Sequence, residues 1–520
     1  MIASSIALES GVALAATLAA LLLALLGLRA RARRLPLPPG PKSPWLGLGR
    51  PAISRAAPWR TYTAWRQVYG DLVFYRAYRD PVLVVNSAEA ADELLDKRGA
   101  VYSSRPRRTM TRELMGWYWS FSRMPYGEPW RRHRGLFQKH FHARVVPSYA
   151  PIAALNVLTL LRGLLRAPDA YERHLRRNAA ALVLKIAYGH DVAEEGEGDA
   201  LVGLAARATA ALAHADIYGT YLVDYVPLLK HVPAWVPGAG FKRKAREWRA
   251  LSRAMLERPF EMVRRNMEAG TAAPCVAATE LERAVREGRE ADVRMIQGIT
   301  AISYSGACVP TVAAALTFLL AMLLYPDARR AAQAELDGVL GAGPGRLPTL
   351  GDRGALPLVT SAVWEAQRWN PVAPLASPHA TVREDVYGGW RIPRGTTVLP
   401  NVWGMCHDEE MYPDAFRFVA DRFVDADGNR ARGVNGVPLM AFGFGRRVCP
   451  GRWLALDNIW LTAASILAVF DVVPANDADG REVLPEEAFT TESVSRPRPF
   501  KCAFVPRSEA ALGLIRQDAE

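Results

Sequence analysis

The residues with the clearest chemical potential are a cysteine and the glycines around it, between residues 442 and 451. This stretch reads Phe442-Gly443-Phe444-Gly445-Arg446-Arg447-Val448-Cys449-Pro450-Gly451. Its glycines let the backbone turn tightly and approach a flat ligand that side chains would hold away. A helix predicted over residues 453–470 directs its N-terminal N–H groups toward the sulfur, which lowers the pKa of a thiol and favours the metal-binding thiolate. The pattern predicts Cys449 as a metal ligand.

The other cysteines do not indicate a second site. The chain has five cysteines, an odd number, and they are widely spaced without a C-x-x-C pair. This usage argues against a disulfide framework and against a structural zinc site. We interpret the remaining four as small buried hydrophobic residues of a protein in a reducing compartment: Cys275, Cys308, Cys406 and Cys502.

The stretch around Cys449 resembles a known family. It matches every fixed position of the F-x-x-G-x-R-x-C-x-G signature of the cytochrome P450 superfamily, through Phe442, Gly445, Arg447, Cys449 and Gly451. The resemblance implies a haem b cofactor (iron protoporphyrin IX), with Cys449 as the axial thiolate ligand and Arg447 as a partner of a haem propionate. It also implies the cytochrome P450-like fold, which is mainly α with small β-sheets.

A second group of charged residues is similar to conserved elements of the same family. Glu365 and Arg368 resemble its E-x-x-R helix, and Arg422 resembles the arginine of its F-x-P-E-R-F segment, where this chain has Ala420 in place of the usual proline. The resemblance implies that Glu365, Arg368 and Arg422 form a buried ion triad that holds the cysteine loop, residues 442–451. Without the family context, such a pair would be interpreted as part of a solvated helix face.

Three further residues resemble the propionate-binding positions of the family. Trp130 and Arg134 match its W-x-x-x-R helix, in which an indole N–H and a guanidinium lie one helical turn apart. Arginine suits this role because its planar fork matches a carboxylate. His379 lies where family members often carry a propionate-binding arginine or histidine. The alternatives are a basic surface helix for the first two residues and an incidental loop histidine for the third.

The sequence departs from the family in its central helix. Val309 and Pro310 stand where the family has an acid and an alcohol that deliver protons during oxygen activation. Because proline lacks an N–H and clashes with the carbonyl four residues earlier, we expect the helix to open locally and the Gly306 carbonyl to hold a water molecule. Thr311 offers a hydroxyl, although a threonine within a helix often bonds to its own backbone. Gly306, Pro310 and Thr311 are therefore catalytic candidates beside Cys449.

Helices must position most of these residues. Residues 126–325 show helical periodicity almost throughout, and residues 292–325 are apolar on nearly every side, which predicts a core helix roughly 50 Å long that lines the site. A hairpin is predicted over residues 72–86, with its turn around Asp80 and Pro81. Short strands are predicted within residues 385–399 and after Phe470. The fold class that follows is mainly α with small sheets.

The first 42 residues predict a membrane anchor and a spacer. Residues 11–28 are uncharged and long enough to span a bilayer, and four arginines follow at positions 29, 31, 33 and 34. A cleaved signal peptide is the alternative, but its basic region would precede the apolar run. We expect an anchor with a basic stop over residues 1–34, a proline-rich hinge over 35–42 and a cytosolic haem-thiolate catalytic domain over 43–520. This organisation predicts a single-pass protein of the endoplasmic reticulum membrane.

Apolar residues near the predicted site indicate an apolar small-molecule substrate, such as a terpenoid or polyketide. The substrate candidates are Trp117, Phe121, Ala307, Val309, Ala373, Leu375 and Val494. The aromatic loop over residues 115–121 has an alternative interpretation, as a hydrophobic loop that dips into the membrane.

The function we predict is that of a haem-thiolate monooxygenase, similar to membrane-bound fungal members of the superfamily. It would insert one oxygen atom from O₂ into its substrate in secondary or xenobiotic metabolism, with electrons from an NADPH-dependent flavoprotein reductase. The formal charge of +13 suits an acidic partner and membrane lipid, and no nucleic-acid-binding signature accompanies it. The missing acid and alcohol keep a haem-thiolate isomerase, dehydratase or peroxide-using enzyme open as the alternative. A non-enzymatic haem or sterol binding protein is disfavoured by the retained cysteine loop.

Overall fold

The protein is mainly helical, as predicted. The computed structural model describes residues 35–42, 49–54, 56–193, 199–217, 219–341, 344–425, 440–477 and 479–516. Its helices of eight or more residues are α1 Pro58–Tyr69, α2 Glu128–Phe141, α3 Ala150–Arg166, α4 Tyr171–Tyr188, α5 Ala200–Asp216, α6 Gly240–Glu268, α7 Val276–Arg286, α8 Val293–Leu324, α9 Pro326–Leu340, α10 Pro357–Trp369, α11 Arg452–Val469 and α12 Glu509–Arg516. Its strands are β1 Leu72–Ala77, β2 Asp80–Val85, β3 His379–Ala380, β4 Asp385–Tyr387, β5 Trp390–Ile392, β6 Thr397–Pro400, β7 Phe470–Asn476, β8 Glu482–Val483 and β9 Cys502–Pro506.

Helix α8 crosses the core. It has 32 residues, and every side chain over residues 312–323 is buried. It packs against α4, α10 and α11, so its apolar surface is covered on several sides. By length and composition, two described helices are apolar enough to cross a membrane, Val146–Arg166 and Glu290–Leu324, but 78% of the apolar window of the second is buried in the protein. Helix α8 is therefore the core helix that the sequence predicts.

The main sheet has the strand order β1-β2-β6-β3. Strands β1 and β2 form the predicted hairpin, but its turn lies at Tyr78 and Arg79, which both have positive φ. Asp80 and Pro81 already belong to β2 and pair with β1, so the predicted turn position is wrong by two residues. A proline is tolerated there because it stands at the start of the strand. Strand β3 is the far edge of this sheet and carries His379.

Two smaller sheets complete the architecture. Strands β4 and β5 form a two-stranded sheet, and β8-β7-β9 form a three-stranded sheet that follows α11 directly. In this second sheet the chain pairs β9 with β7 in antiparallel register. The carboxyl-terminal region thus packs beside the helix that follows the cysteine loop.

The proline-rich hinge lies against the sheets. The Pro36 carbonyl accepts a hydrogen bond from the Arg391 N–H, and the Pro39 carbonyl accepts one from the Phe74 N–H, both at 2.8 Å. A side chain at Gly40 would collide with the Phe74 carbonyl, 1.9 Å from the position of its Cβ. The predicted anchor, residues 1–34, lies outside the described residues.

Candidate active site

The cysteine loop closes on itself and packs against the short helix Asp92–Lys97. The Cys449 N–H donates a hydrogen bond to the Phe442 carbonyl at 2.8 Å. Gly443 and Gly445 adopt positive φ values of 82° and 49°, which L side chains rarely adopt. A Cβ at Gly445 would lie 2.2 Å from the Leu95 carbonyl oxygen, so glycine is required there on both grounds. Helix α11 starts at Arg452, just after this loop.

Cys449 is partly buried, whereas the other four cysteines are fully buried. Burial raises the pKa of the Cys449 thiol, and the Gly451 N–H, Arg134 and Arg452 oppose that rise. The predicted lowering by the start of the helix is present in the Gly451 N–H, but burial outweighs it, so the net pKa of the thiol is raised. The same donor and cations favour the thiolate once a metal cation takes the place of the proton.

Arg447 is held in a buried position beside the cysteine loop. Its Nε donates to the Ser103 carbonyl and its Nη2 to the Met124 carbonyl, both at 2.7 Å. Its guanidinium lies 4.4 Å from the ring centroid of Trp130, the predicted tryptophan of α2. Burial lowers the pKa of Arg447 to about 8, and nearby Arg134 adds to that effect.

Two more arginines lie close to Arg447. Arg134 donates to the Val448 carbonyl at 2.7 Å and so ties α2 to the cysteine loop. Arg105, which the sequence analysis missed, donates to the carbonyls of Ser122 and Pro378, at 3.0 and 2.7 Å. Burial lowers the pKa of Arg134 to about 10 and that of Arg105 to about 9. Along the described chain, no carboxylate forms a hydrogen bond or ion pair with these three arginines.

His379 lies near the same cations. Its Nδ1 is 2.9 Å from the Tyr102 carbonyl, and its side chain is buried at the edge of the main sheet. Burial lowers its pKa well below 6.5, and Arg105 and Arg447 lower it further. The histidine is therefore neutral at pH 7, its Nδ1–H donates to Tyr102, and a carboxylate brought near it would favour uptake of a proton.

Glu365, Arg368 and Arg422 meet in one cluster, in which the Glu365 and Arg368 side chains are fully buried and Arg422 is 10% exposed. Arg368 binds the Glu365 carboxylate with both Nε and Nη2, at 2.7 and 2.8 Å, and Arg422 Nε donates to the same carboxylate at 3.0 Å. Arg368 Nη1 also donates to the carbonyls of Cys406 and Ala415. Removal of one partner would leave a buried charge uncompensated, which costs roughly 3–5 kcal/mol. The cluster thus holds α10 against the segment before the cysteine loop.

Comparison with known proteins agrees with this arrangement. The profile of the family described as "Cytochrome P450" matches residues 37–504. The chain belongs to the cytochrome P450 family. It is 39% identical to a cytochrome P450 monooxygenase of Armillaria gallica over 93% of this chain and 94% of that protein. It is 38% identical to cytochrome P450 monooxygenase 208 of Postia placenta, over 96% of both chains. It is 36% identical to tryptamine 4-monooxygenase of Psilocybe cyanescens, over 93% and 95%.

A haem-thiolate cofactor is the group that membership of the P450 family implies, and the described residues fit it. Cys449 of the cysteine loop is the one cysteine of the five that is not fully buried. Arg134 and Arg447, two buried arginines near it, bond only to carbonyl oxygens, and no carboxylate of the described residues contacts them. Arg105 is partly buried and is attracted to the Asp216 carboxylate. Buried charges of one sign are costly unless paired, so this cluster fits a ligand that brings two carboxylates.

The central helix of this P450 faces open space at Gly306. Gly306 is exposed although its neighbours in α8 are mostly buried, and an added Cβ there would meet no atom within 4 Å. Helix α8 runs unbroken through Pro310, so the expected opening of the helix is wrong. Pro310 still cannot donate to the Gly306 carbonyl, because it has no N–H. The Thr311 hydroxyl has no hydrogen-bond partner within the described ranges, so the backbone bond considered for it is not formed.

The aromatic loop of the P450 turns its rings inward. Trp117 stacks on Trp119 with 5.0 Å between ring centroids, and Phe121 meets Phe137 edge-on at 5.5 Å. Trp117 and Phe121 are buried, whereas Tyr118 between them is 59% exposed. The interpretation as a loop that inserts into the membrane is therefore unsupported for Trp117 and Phe121.

The other predicted substrate residues are partly buried. They are Ala307, Val309, Ala373, Leu375 and Val494. The Ser495 N–H donates to the Val372 carbonyl at 2.9 Å, which brings the segments of Ala373 and Val494 side by side. Leu375 instead packs against the apolar cluster of the main sheet, around Val73 and Leu399. Ala307 and Val309 belong to the part of α8 around Gly306.

Proposed function

We propose that this P450 inserts one oxygen atom from O₂ into an apolar small molecule, with electrons from an NADPH-dependent flavoprotein reductase. The observation that carries the proposal is the partly buried Cys449 next to Arg134 and Arg447, two buried arginines that no described carboxylate contacts. Secondary or xenobiotic metabolism is the proposed setting, because the relatives are fungal monooxygenases and one of them is a tryptamine 4-monooxygenase.

The cofactor we propose is haem b. Bound haem supplies the reductive activation of O₂ that no side chain of the protein can perform. Cys449 would be the axial ligand to iron, and Arg447, Arg134, Trp130 and His379 would hold the propionates. The loop positions that complete the proposed cofactor site are Phe442, Gly445 and Gly451. His379 would take up a proton on contact with a propionate, since its Nδ1–H already donates to a carbonyl.

The residues that would supply protons for oxygen activation belong to α8. Val309 and Pro310 carry no exchangeable proton, so another group must hold the water that delivers protons to the site. We propose that the Gly306 carbonyl is its acceptor, because Pro310 leaves this carbonyl without the usual helical donor. The open space beside Gly306 leaves room for such a water. Thr311 would assist, since its hydroxyl is not engaged by the backbone.

The second candidate function is that of a haem-thiolate isomerase, dehydratase or peroxide-using enzyme. The observation that favours it is the replacement of the acid and alcohol by Val309 and Pro310. Such reactions do not need protons for the cleavage of O₂. Consumption of NADPH and O₂ in step with product separates the two candidates.

The proposed organisation places an anchor at residues 1–34, the hinge at 35–42 and the catalytic domain at 43–520. Support comes from the family match, which starts at residue 37, and from the hinge prolines bonded to the sheets. The proposed location is the endoplasmic reticulum membrane, which the chain crosses once with its catalytic domain in the cytosol. This location would bring the catalytic domain to a membrane-bound reductase.

The decisive experiment is co-expression with an NADPH-dependent reductase, followed by untargeted analysis of products. We expect products that differ from their precursors by one oxygen atom and that retain ¹⁸O from ¹⁸O₂. Products formed without O₂, or without reductant, would contradict the monooxygenase and favour the second candidate.

A further inference from the structure

A buried asparagine joins the central helix to the carboxyl-terminal part of the chain. Asn370, the residue after α10, donates through its side-chain amide to the Thr317 hydroxyl of α8 at 3.2 Å. Its amide oxygen accepts a hydrogen bond from the Ser495 hydroxyl at 2.8 Å. All three residues are at most 3% exposed. We call Thr317, Asn370 and Ser495 the buried bridge.

The hydrogen bonds of the buried bridge run in one direction. The Thr317 hydroxyl donates to the Ala313 carbonyl at 2.9 Å, so its oxygen is available to accept from Asn370. Thr317 and Asn370 each donate one bond and accept one, which fixes the orientation of the Asn370 amide. Bonds in such a series strengthen one another. The bridge therefore holds its three members in one arrangement.

Two segments that carry proposed substrate residues meet at the buried bridge. One is residues 371–375, which includes Ala373, and the other is the turn over residues 490–496, which includes Val494. Both of these residues are only partly buried, so a ligand can contact them. The bridge ties the two segments to each other and to α8.

The helix end of the bridge lies on the face of α8 that carries Pro310. Thr317 follows Pro310 by seven residues, or about two helical turns, so the two residues share one face. Gly306 lies about one turn before Pro310 on the same side. The bridge thus fixes the two segments relative to the part of α8 that we propose to hold water.

The other side-chain contacts of the turn over residues 490–496 lie closer to the surface. The Ser493 hydroxyl donates to the Ala213 carbonyl of α5 at 3.0 Å, in a partly buried place. Arg496 pairs with Glu172 at 2.8 Å, and these side chains are 40% and 33% exposed. Exposed ion pairs contribute little. The buried bridge therefore contributes more than this ion pair to the position of the turn.

We propose that Asn370 is a positioning residue that sets how the turn over residues 490–496 stands against residues 371–375, and thereby selects the orientation of a bulky apolar ligand in the site. The inference deepens the proposed function and rests on it in taking Ala373 and Val494 as ligand contacts. Asn370 is itself buried, so it acts through the two segments. Its loss should affect large ligands, which reach both segments, more than small ones.

Asn370→Leu removes the bridge with little change in side-chain volume. The Thr317 hydroxyl keeps its bond to the Ala313 carbonyl, and the Ser495 hydroxyl has the Thr490 carbonyl at 3.3 Å, so both hydroxyls retain an acceptor. The fold is therefore little at risk in this variant.

The probes are clotrimazole, a bulky azole, and imidazole, a small one. Their Kd values are measured by absorbance titration of the haem-containing protein. In Asn370→Leu we expect the Kd of clotrimazole to rise by roughly five- to tenfold, and that of imidazole to change by less than about twofold, because one buried hydrogen-bonded contact is lost. Ser495→Ala should reproduce this pattern, whereas Ser495→Thr, which keeps the hydroxyl, should bind both azoles like wild type.

Asn178→Leu is the matched control. Asn178 is 2% exposed and donates to the Thr462 hydroxyl at 3.2 Å, which joins α4 to α11 away from the two segments. This variant should leave both Kd values unchanged. Hydrogen exchange provides a second measurement, and we expect residues 490–496 to exchange faster in Asn370→Leu than in Asn178→Leu.

A clotrimazole Kd that is unchanged in Asn370→Leu, or raised equally in Asn178→Leu, would overturn the proposal. Unchanged exchange of residues 490–496 in Asn370→Leu would overturn it as well. Neither measurement requires turnover, so failure of the monooxygenase reaction leaves this test intact.

Discussion

At the scale of single residues, two buried arginines explain why the site needs a ligand. Arg134 and Arg447 are placed by backbone carbonyls, which fix their positions but do not neutralise them. Buried charges without counter-charges destabilise a fold, so this cluster is an arrangement that a dianionic ligand stabilises. Haem-depleted protein should accordingly melt at a lower temperature than the haem-loaded form.

The role of Cys449 is tested by spectroscopy. The reduced protein with carbon monoxide should show the red-shifted Soret band of a thiolate-ligated haem, because Cys449 is the one cysteine of the five that is not fully buried. Cys449→Ser should abolish this band. Cys308→Ala is the control, since Cys308 is buried in α8 and its thiol donates to the Tyr304 carbonyl. A red-shifted band that persists in Cys449→Ser would assign the ligand elsewhere.

The proton supply is tested by the ratio of product formed to NADPH consumed. Pro310→Ala restores a donor to the Gly306 carbonyl and removes the acceptor of the proposed water, so this ratio should fall clearly. Thr311→Ala should change it by less than about threefold, well below the roughly hundredfold or larger effect of a lost general acid. A silent Pro310→Ala together with a collapsed ratio in Thr311→Ala would transfer the role to Thr311.

Sequence reasoning located Cys449 and the triad residues because their neighbours in the chain form distinctive motifs. The sequence did not indicate Arg105, because one arginine among many has no local motif. Its hydrogen-bond partners, the carbonyls of Ser122 and Pro378, come from other parts of the chain. The net rise in the pKa of Cys449 could not be predicted from the sequence for a related reason. Burial is a property of the folded protein, and here it outweighs the nearby helix.

At the scale of elements, α2 combines a buried face with a basic exposed face. Trp130 and Arg134 point inward, whereas Arg131 lies on the surface and stacks over the Tyr126 ring at 5.7 Å. Arg446 of the cysteine loop stacks over the same ring at 5.5 Å. Arg132 differs, because it pairs with the buried Asp292 at 2.5 Å. Arg131 pairs only with the exposed Glu128, at 3.1 Å, so the exposed basic surface nearest the cysteine loop is formed by Arg131 and Arg446.

This surface is where we expect the reductase to dock. The double variant Arg131→Glu, Arg446→Glu should slow electron transfer from the reductase by roughly tenfold at low salt, since opposite charges speed association. The wild-type rate should fall as salt rises. Arg253→Glu, on the exposed face of α6, is the control and should leave the rate unchanged. A double variant as fast as wild type would place the partner elsewhere.

The elements themselves were predictable where periodicity is strong. The core helix was expected over residues 292–325 and runs over Val293–Leu324. The hairpin turn was misplaced because Asp and Pro are common in turns, while here they begin a strand. Helix α8 continues through Pro310 because its packing against α4, α10 and α11 holds the helix together despite one missing hydrogen bond.

At the scale of the whole molecule, apolar and basic surface meet near the hinge. Leu228 and Trp235 are 76% and 81% exposed, and the basic start of α6 follows them. Arg50, shortly after the hinge, lies beside Gly219 of the same region. This surface is therefore on the side from which the chain leaves the proposed anchor. Exposed apolar and basic groups of this kind bind anionic bilayers.

Deletion of residues 1–34 should thus release the protein from membranes only partly. The truncated protein should still sediment with vesicles that contain phosphatidylserine, and the added changes Leu228→Ser and Trp235→Ser should free it. Val483→Ser with Leu484→Ser is the control, because these residues are exposed on a different part of the protein. Full solubility of the truncated protein at low salt would contradict a second attachment. Haem content should not change.

The carbonyl contacts of Pro36 and Pro39 have a mechanical consequence. In the proposed organisation the anchor ends at Arg34, and the chain is bonded to a strand at Pro36, so only about two residues, or roughly 7 Å, would separate the bilayer from the catalytic domain. So short a connection would keep the catalytic domain from tumbling and hold it at one tilt above the lipid. Encounters with the proposed membrane-bound reductase would then be collisions in a plane between two bodies of fixed orientation. Added residues between Arg34 and Pro36 would restore rotational freedom and make those collisions less productive.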